Sequence, residues 1–117
     1  TPYSTGKRGW SNHPCAIWVR KSKENYNWLC KLGYELCLEY TYRYEKIHAL
    51  QNRILWYTNN VPALENIGFT EPYQAVGDEL RNEKMDAVSA YRKYYKTIKK
   101  DIVKWNKKRN MPEWMSE

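Results

Sequence analysis

The sequence predicts an all-α fold, a compact single-domain bundle of about four helices with a long irregular loop before the last one. Three observations carry that expectation. Apolar residues recur at alternating steps of three and four in separate stretches, the period of an amphipathic helix. No stretch alternates with period two around a turn-forming pair, as a β-hairpin would. A chain of 117 residues is the length of one domain that can bury a core without staples.

Residues 1–11, with Pro2, Gly6 and Gly9 and the basic pair Lys7 and Arg8, read as an irregular arm. At Asn12-His13-Pro14 a capping residue stands just before a proline suited to the first helical turn, so a short helix runs through Cys15, Ile17, Trp18 and Val19. Ser22 can cap a second, longer helix, whose apolar stripe is Trp28 or Leu29, Leu32, Leu36, Tyr40 and Tyr44. Gly33 inside it costs about 1 kcal/mol against alanine and signals close approach of another element. A third helix around Ile47, Leu50, Ile54 and Leu55 ends by Asn59-Asn60, with Pro62 just beyond. Residues 61–81 hold Pro62, Gly68, Pro72 and Gly77 and no periodicity, hence the loop. Asp86 opens the last helix, expected over 86–109, with Val88, Tyr91, Tyr95, Ile98, Ile102 and Trp105 as its buried stripe. The tail carries Pro112 and Trp114 and is expected to fold back on its tryptophan.

Charge is concentrated in that last helix. Residues 92–109 contain nine basic residues and one acid, Asp101, while the rest of the chain has eleven Lys or Arg against twelve Asp or Glu. The net charge of +7 therefore sits in one segment. Six phosphate contacts from it would give duplex DNA binding a log-log salt slope of about −5. Tyr94 and Trp105 can add stacking on an extruded or single-stranded base. The bland account is a solvated lysine face, but clustering favours a polyanion, with an acidic protein or a membrane surface as lesser candidates.

The remaining composition narrows the classes. Six Trp and eleven Tyr stand against one Phe, so much of the apolar area comes from rings with a polar tip. Cys15, Cys30 and Cys37 are odd in number and lack CxxC spacing, which argues for reduced core residues over a disulfide framework or a zinc ribbon. His13, Cys15 and His48 have no metal-ligand spacing, and no cofactor motif is visible. No run is long and apolar enough for a membrane span and none resembles a signal peptide, so the reading is an intracellular protein with no membrane partner. The oligomeric state is left open.

A second group of residues lies in His13-Pro14-Cys15-Ala16-Ile17-Trp18-Val19-Arg20 and in Glu39-Tyr40-Thr41-Tyr42-Arg43-Tyr44. A lone histidine before proline is more often a helix cap than a catalyst, and Glu39 and Arg43 have the spacing of a surface ion pair. The succession HPCAIWVR, NYNWL, EYTYRY, PYQAV, AYRKYYK and KW…PEW nevertheless resembles a widespread group of tailed-phage proteins. That group is in turn distantly similar to the phage pyrimidine-dimer DNA glycosylase family, the endonuclease V type.

The resemblance implies a helical protein that grips DNA, flips a nucleotide and cuts a glycosidic bond through an imine on an N-terminal amine. In those proteins a helix with a histidine and a glutamate precedes the HP motif, whereas this chain begins twelve residues before His13 and contains no such helix. Thr1 stands at the wrong place in the pattern to supply the amine. The expectation is therefore a DNA-binding protein without its own catalytic groups, or a glycosylase/AP lyase whose catalytic part lies elsewhere. The rival is a viral structural or interaction protein whose basic helix docks on an acidic protein or RNA, in the virion rather than the host cytoplasm. Candidate nucleic-acid contacts are Arg20, Arg92, Lys93, Tyr94, Lys96, Lys99, Lys100, Lys104, Lys107, Lys108 and Arg109. His13, Trp18, Glu39 and Arg43 carry the motif with roles left open, and no catalytic residue is assigned.

Overall fold

The computed structural model describes residues 12–76, 81–82, 84–97, 99 and 108–116. These are helical or irregular, with no strand among them: α1 (Pro14–Lys21), α2 (Lys23–Tyr44), α3 (Gln51–Asn59), α4 (Ala87–Thr97) and a 3₁₀ turn at Glu113–Met115. The all-α expectation holds. The arm at 1–11 and the cations Lys100, Lys104 and Lys107, with Ile98, Ile102 and Trp105, lie outside the described residues.

Local chemistry sets the first boundaries. His13 caps α1, its Nδ1 accepting from the Cys15 N–H at 3.0 Å, and Pro14 occupies the first turn, where its missing N–H costs nothing. Ser22 ends α1 in extended backbone and caps α2, its Oγ accepting from the Asn25 N–H at 3.0 Å. One fully buried serine thus makes the corner between two helices. Glu45 closes α2 in the left-handed region at φ 57°, where its N–H returns to the Thr41 carbonyl at 2.8 Å.

Gly33 marks the close approach that its position suggested. A Cβ there would stand 3.3 Å from Ile54 Cδ1, so α3 lies directly on α2 at this point. The expected burial stripe of α2 is corrected by the same contact. The row facing inward is Tyr26, Cys30, Gly33 and Cys37, with Tyr26 and Cys37 buried, while Leu32 is 41% and Leu36 61% exposed. Small groups bring α3 closer than leucines would, and the leucine row one position away is left exposed, with Leu29 and Leu32 in the wall of a groove. The third helix also starts later than expected. The Leu50 and Gln51 N–H groups bond back to His48, at Nδ1 and the carbonyl, forming a turn that leaves Ile47 exposed before the helix begins.

α4 reaches the rest of the fold through the loop and the 3₁₀ turn. Glu71 Oε1 accepts from the Ala87 N–H at 2.6 Å, and Tyr91 Oη accepts from the Ala75 N–H at 2.7 Å. Its buried residues are Ala87 and Ala90, whose size lets the helix start lie close against the loop. Val88 is 55% and Tyr95 40% exposed, so the expected stripe is again displaced. Of the helix expected over 86–109, the described part is Ala87–Thr97; the Lys99 N–H bonds to the Tyr94 carbonyl five residues back, Lys108 has φ 62°, and residues 98 and 100–107 lie outside the described residues.

The loop is held by two buried amides. Asn25 Nδ2 donates to the Trp18 carbonyl and to Thr70 Oγ1, both at 2.9 Å, and its Oδ1 accepts from the Thr70 N–H at 2.9 Å. Gln74 Nε2 donates to the carbonyls of Asn82 and Met85, and its Oε1 accepts from the Asn82 N–H. The first joins α1, α2 and the loop; the second joins the loop to the approach of α4. The three cysteines form no disulfide; Cys37 is buried, and partial burial raises the Cys15 thiol pKa above its ordinary value.

A candidate nucleic-acid interface on α4

Two carboxylates at its N-terminus fix the polarity of α4. Asp86 accepts from the Ser89 N–H at 2.8 Å and from the Ser89 hydroxyl at 2.9 Å, and these bonds hold its pKa below the ordinary aspartate value. With Glu71 on the Ala87 N–H, negative charge sits where the helix dipole favours it, which leaves the cations for the later turns.

Steps of three and four then gather Ser89, Arg92, Lys93, Lys96 and Thr97 along one side of α4. Together with Trp114 from the tail, they line a polar cleft of about 360 Å³. The Arg92 guanidinium lies 5.2 Å from the Trp114 ring, a cation–π arrangement that ties the folded-back tail to the helix. Lys99 Nζ stands 5.5 Å from the Tyr94 ring, which meets Tyr95 edge-on at 5.9 Å. Ser89, Thr97 and Trp114 were missed as site residues. The helical period around Arg92 and Lys96 could have found the first two, but only folding brings Trp114 there.

Behind the cleft lies a larger groove of about 1070 Å³ between α1, α2, the loop and α4. Trp18, Trp28 and Phe69 form an aromatic cluster in its wall, with centroids 5.6–5.8 Å apart. Val88, Tyr91 and Tyr95 face them from α4. Arg92 and Trp114 line both cavities.

The other sequence candidates are placed apart or given structural work. His13 is the α1 cap and meets the Tyr73 ring edge-on at 6.5 Å. Trp18 is buried and donates from Nε1 to the Thr70 carbonyl at 3.1 Å. Arg20 is exposed in the last turn of α1. Lys108 and Arg109 lie against the C-terminal part of α2: Lys108 pairs with Glu45 at 2.9 Å, and Arg109 grips Glu39 with two bonds, at 2.8 and 2.9 Å. Arg43 shares Glu39 at 2.6 Å, and the Tyr42 ring lies under the Arg109 guanidinium at 4.3 Å. These two cations are committed to intramolecular partners. Among the described residues no group of His, Cys, Asp or Glu can hold a metal ion, and no helix is long and apolar enough to cross a membrane.

The Arg109 and Arg43 bonds lower the Glu39 pKa to about 2. A carboxylate with a depressed folded-state pKa stabilises the fold above its ordinary value, near 4.5, and loses that contribution as pH falls toward 2. Urea midpoints measured at about pH 6 and about pH 2.5 should therefore differ less in Glu39→Gln than in the parent. An equal difference in both proteins would show that Glu39 is not paired in solution.

No protein-family model, no curated protein and no solved structure matches the chain.

Proposed function

We propose that the protein binds DNA through the basic side of α4, as the gripping part of a protein distantly related to the phage pyrimidine-dimer glycosylases through the tailed-phage group that its motifs resemble. The observation that carries this reading is the convergence of Arg92, Lys93 and Lys96 with two hydroxyls on one cleft beside an indole ring. Guanidinium, ammonium and hydroxyl groups are the donors that phosphate oxygens accept from, and a ring at the edge of such a site offers a surface for a base. Lys108 and Arg109 pair with Glu45 and Glu39, whereas Arg92, Lys93 and Lys96 line the cleft on α4. This reading assigns no catalytic group to the chain.

Lys93→Glu with Lys96→Glu tests it. Binding of a labelled DNA oligonucleotide should weaken, and the slope of log affinity against log salt should become shallower by about 1.5–2. Far-ultraviolet circular dichroism should stay unchanged, since neither side chain is buried. An unaltered slope would remove the reading and leave an acidic protein as the partner to be sought.

A further inference from the structure

The polar cleft and the aromatic groove are two cavities with one shared wall. Arg92 and Trp114 belong to both, the cleft being lined otherwise by polar and cationic groups and the groove mainly by apolar ones, with the carboxylates Glu71 and Asp86 confined to its edge at the start of α4, where they are bonded to the Ala87 and Ser89 N–H groups. Large rings are left open to solvent inside the groove: Trp28 is 37%, Phe69 48% and Tyr95 40% exposed. A ligand that fits both cavities at once carries negative charge and, within reach of it, a flat unsaturated face. Duplex DNA hides those faces in its own stack; a single strand displays them.

We infer that the α4 cleft and the adjoining groove form a track for single-stranded DNA, with phosphates on Arg92, Lys93 and Lys96 and unpaired bases against Phe69, Trp28 and Tyr95. The inference rests on the DNA-binding reading above and narrows it to a substrate class. Its physical content is a division of labour. The cations supply a salt-dependent, sequence-independent attraction, and the rings add stacking that only an unpaired base can make. The Trp18, Trp28 and Phe69 cluster is braced by the bond from Trp18 Nε1 to Thr70, so its exposed faces are held in place before a ligand arrives. Tyr95 is the counterpart on the opposite wall, in ring contact with Tyr94.

The test compares a labelled 20-mer of deoxythymidylate with a 20-base-pair duplex at one salt concentration, by fluorescence anisotropy and by quenching of intrinsic tryptophan emission. The single strand should bind at least about tenfold more tightly and should quench the emission. Tyr95→Ala should weaken single-strand binding by roughly 5-fold to 100-fold while leaving duplex affinity and the salt slope in place. Phe69→Leu, which keeps the apolar volume and removes the ring, should act in the same direction and guards against a folding defect in the alanine variant. Equal or tighter duplex binding with a slope that depends on Lys93 and Lys96 would overturn the inference and leave the DNA-binding reading standing. Single-strand preference untouched by both ring variants would overturn the placing of bases in the groove. Absence of salt-dependent binding to either DNA would overturn both readings.

Discussion

Asn25→Ala is expected to lower the free energy of unfolding by about 3–4 kcal/mol, measured by urea denaturation at neutral pH. The side chain is fully buried and makes three bonds of 2.9 Å, to the Trp18 carbonyl, the Thr70 hydroxyl and the Thr70 N–H. Alanine removes all three, stranding the Trp18 carbonyl and the Thr70 hydroxyl and N–H. Each stranded group costs about 1–3 kcal/mol, reduced where a water enters the vacated space. The loss is a large part of the total for a domain of this size. Asn25→Asp separates the contributions, because it keeps the acceptor for the Thr70 N–H, gives up both donor bonds and places a carboxylate in the interior. It should destabilise at least as much as alanine. A change below about 1 kcal/mol for Asn25→Ala would show that the amide does not bridge α1, α2 and the loop.

Gln74→Ala is the second large effect, expected at about 2–3 kcal/mol. Its amide joins residue 74 to Asn82 and Met85 by bonds of 2.8, 2.9 and 2.8 Å while it is only 5% exposed. Arg81 adds a bond from Nε to the Gln74 carbonyl and lies 4.7 Å over the Tyr73 ring, so the approach to α4 is held from both directions. Loss of the amide should free this approach before it disturbs the α2–α3 pair. The observable is local: amide hydrogen exchange at Ala90 and Tyr91 should accelerate more than at Cys37. Uniform acceleration across all four helices would mean that the loop and the helix pair unfold as one unit.

Much of the element order was legible in the sequence because it depends on neighbours in the chain. His13-Pro14 and Ser22 mark helix starts through bonds to residues two and three positions on, and Asp86 marks α4 in the same way. Gly33 announced its contact because a glycine inside a helix has a cost that tertiary packing must offset. The buried rows were misread. α2 carries adjacent apolar rows, and periodicity alone cannot tell which of them meets α3. The row of small residues packs more closely, and the leucines are left exposed. The amide bridges were invisible for a different reason: Asn25 and Thr70 are separated by 45 positions, and nothing local to either requires the other. The cationic side of α4 was legible from its spacing, but the separation of Lys108 and Arg109 from it depends on partners 63 and 70 positions away.

Glu45 shows how such distant partners alter local rules. It holds a left-handed backbone that costs a non-glycine residue roughly 1–2 kcal/mol, at a place where glycine is the common choice. What the carboxylate offers in return is a tether to Lys108 at 2.9 Å. The end of α2 is thus a frustrated joint, in which backbone preference and side-chain attraction pull toward different residues. When high salt or a competing anion takes Lys108 away, the strain remains and its compensation is gone. The last turn of α2 should then be the first part of that helix to fray, which makes it a local gauge of whether the returning chain at 108–109 is docked.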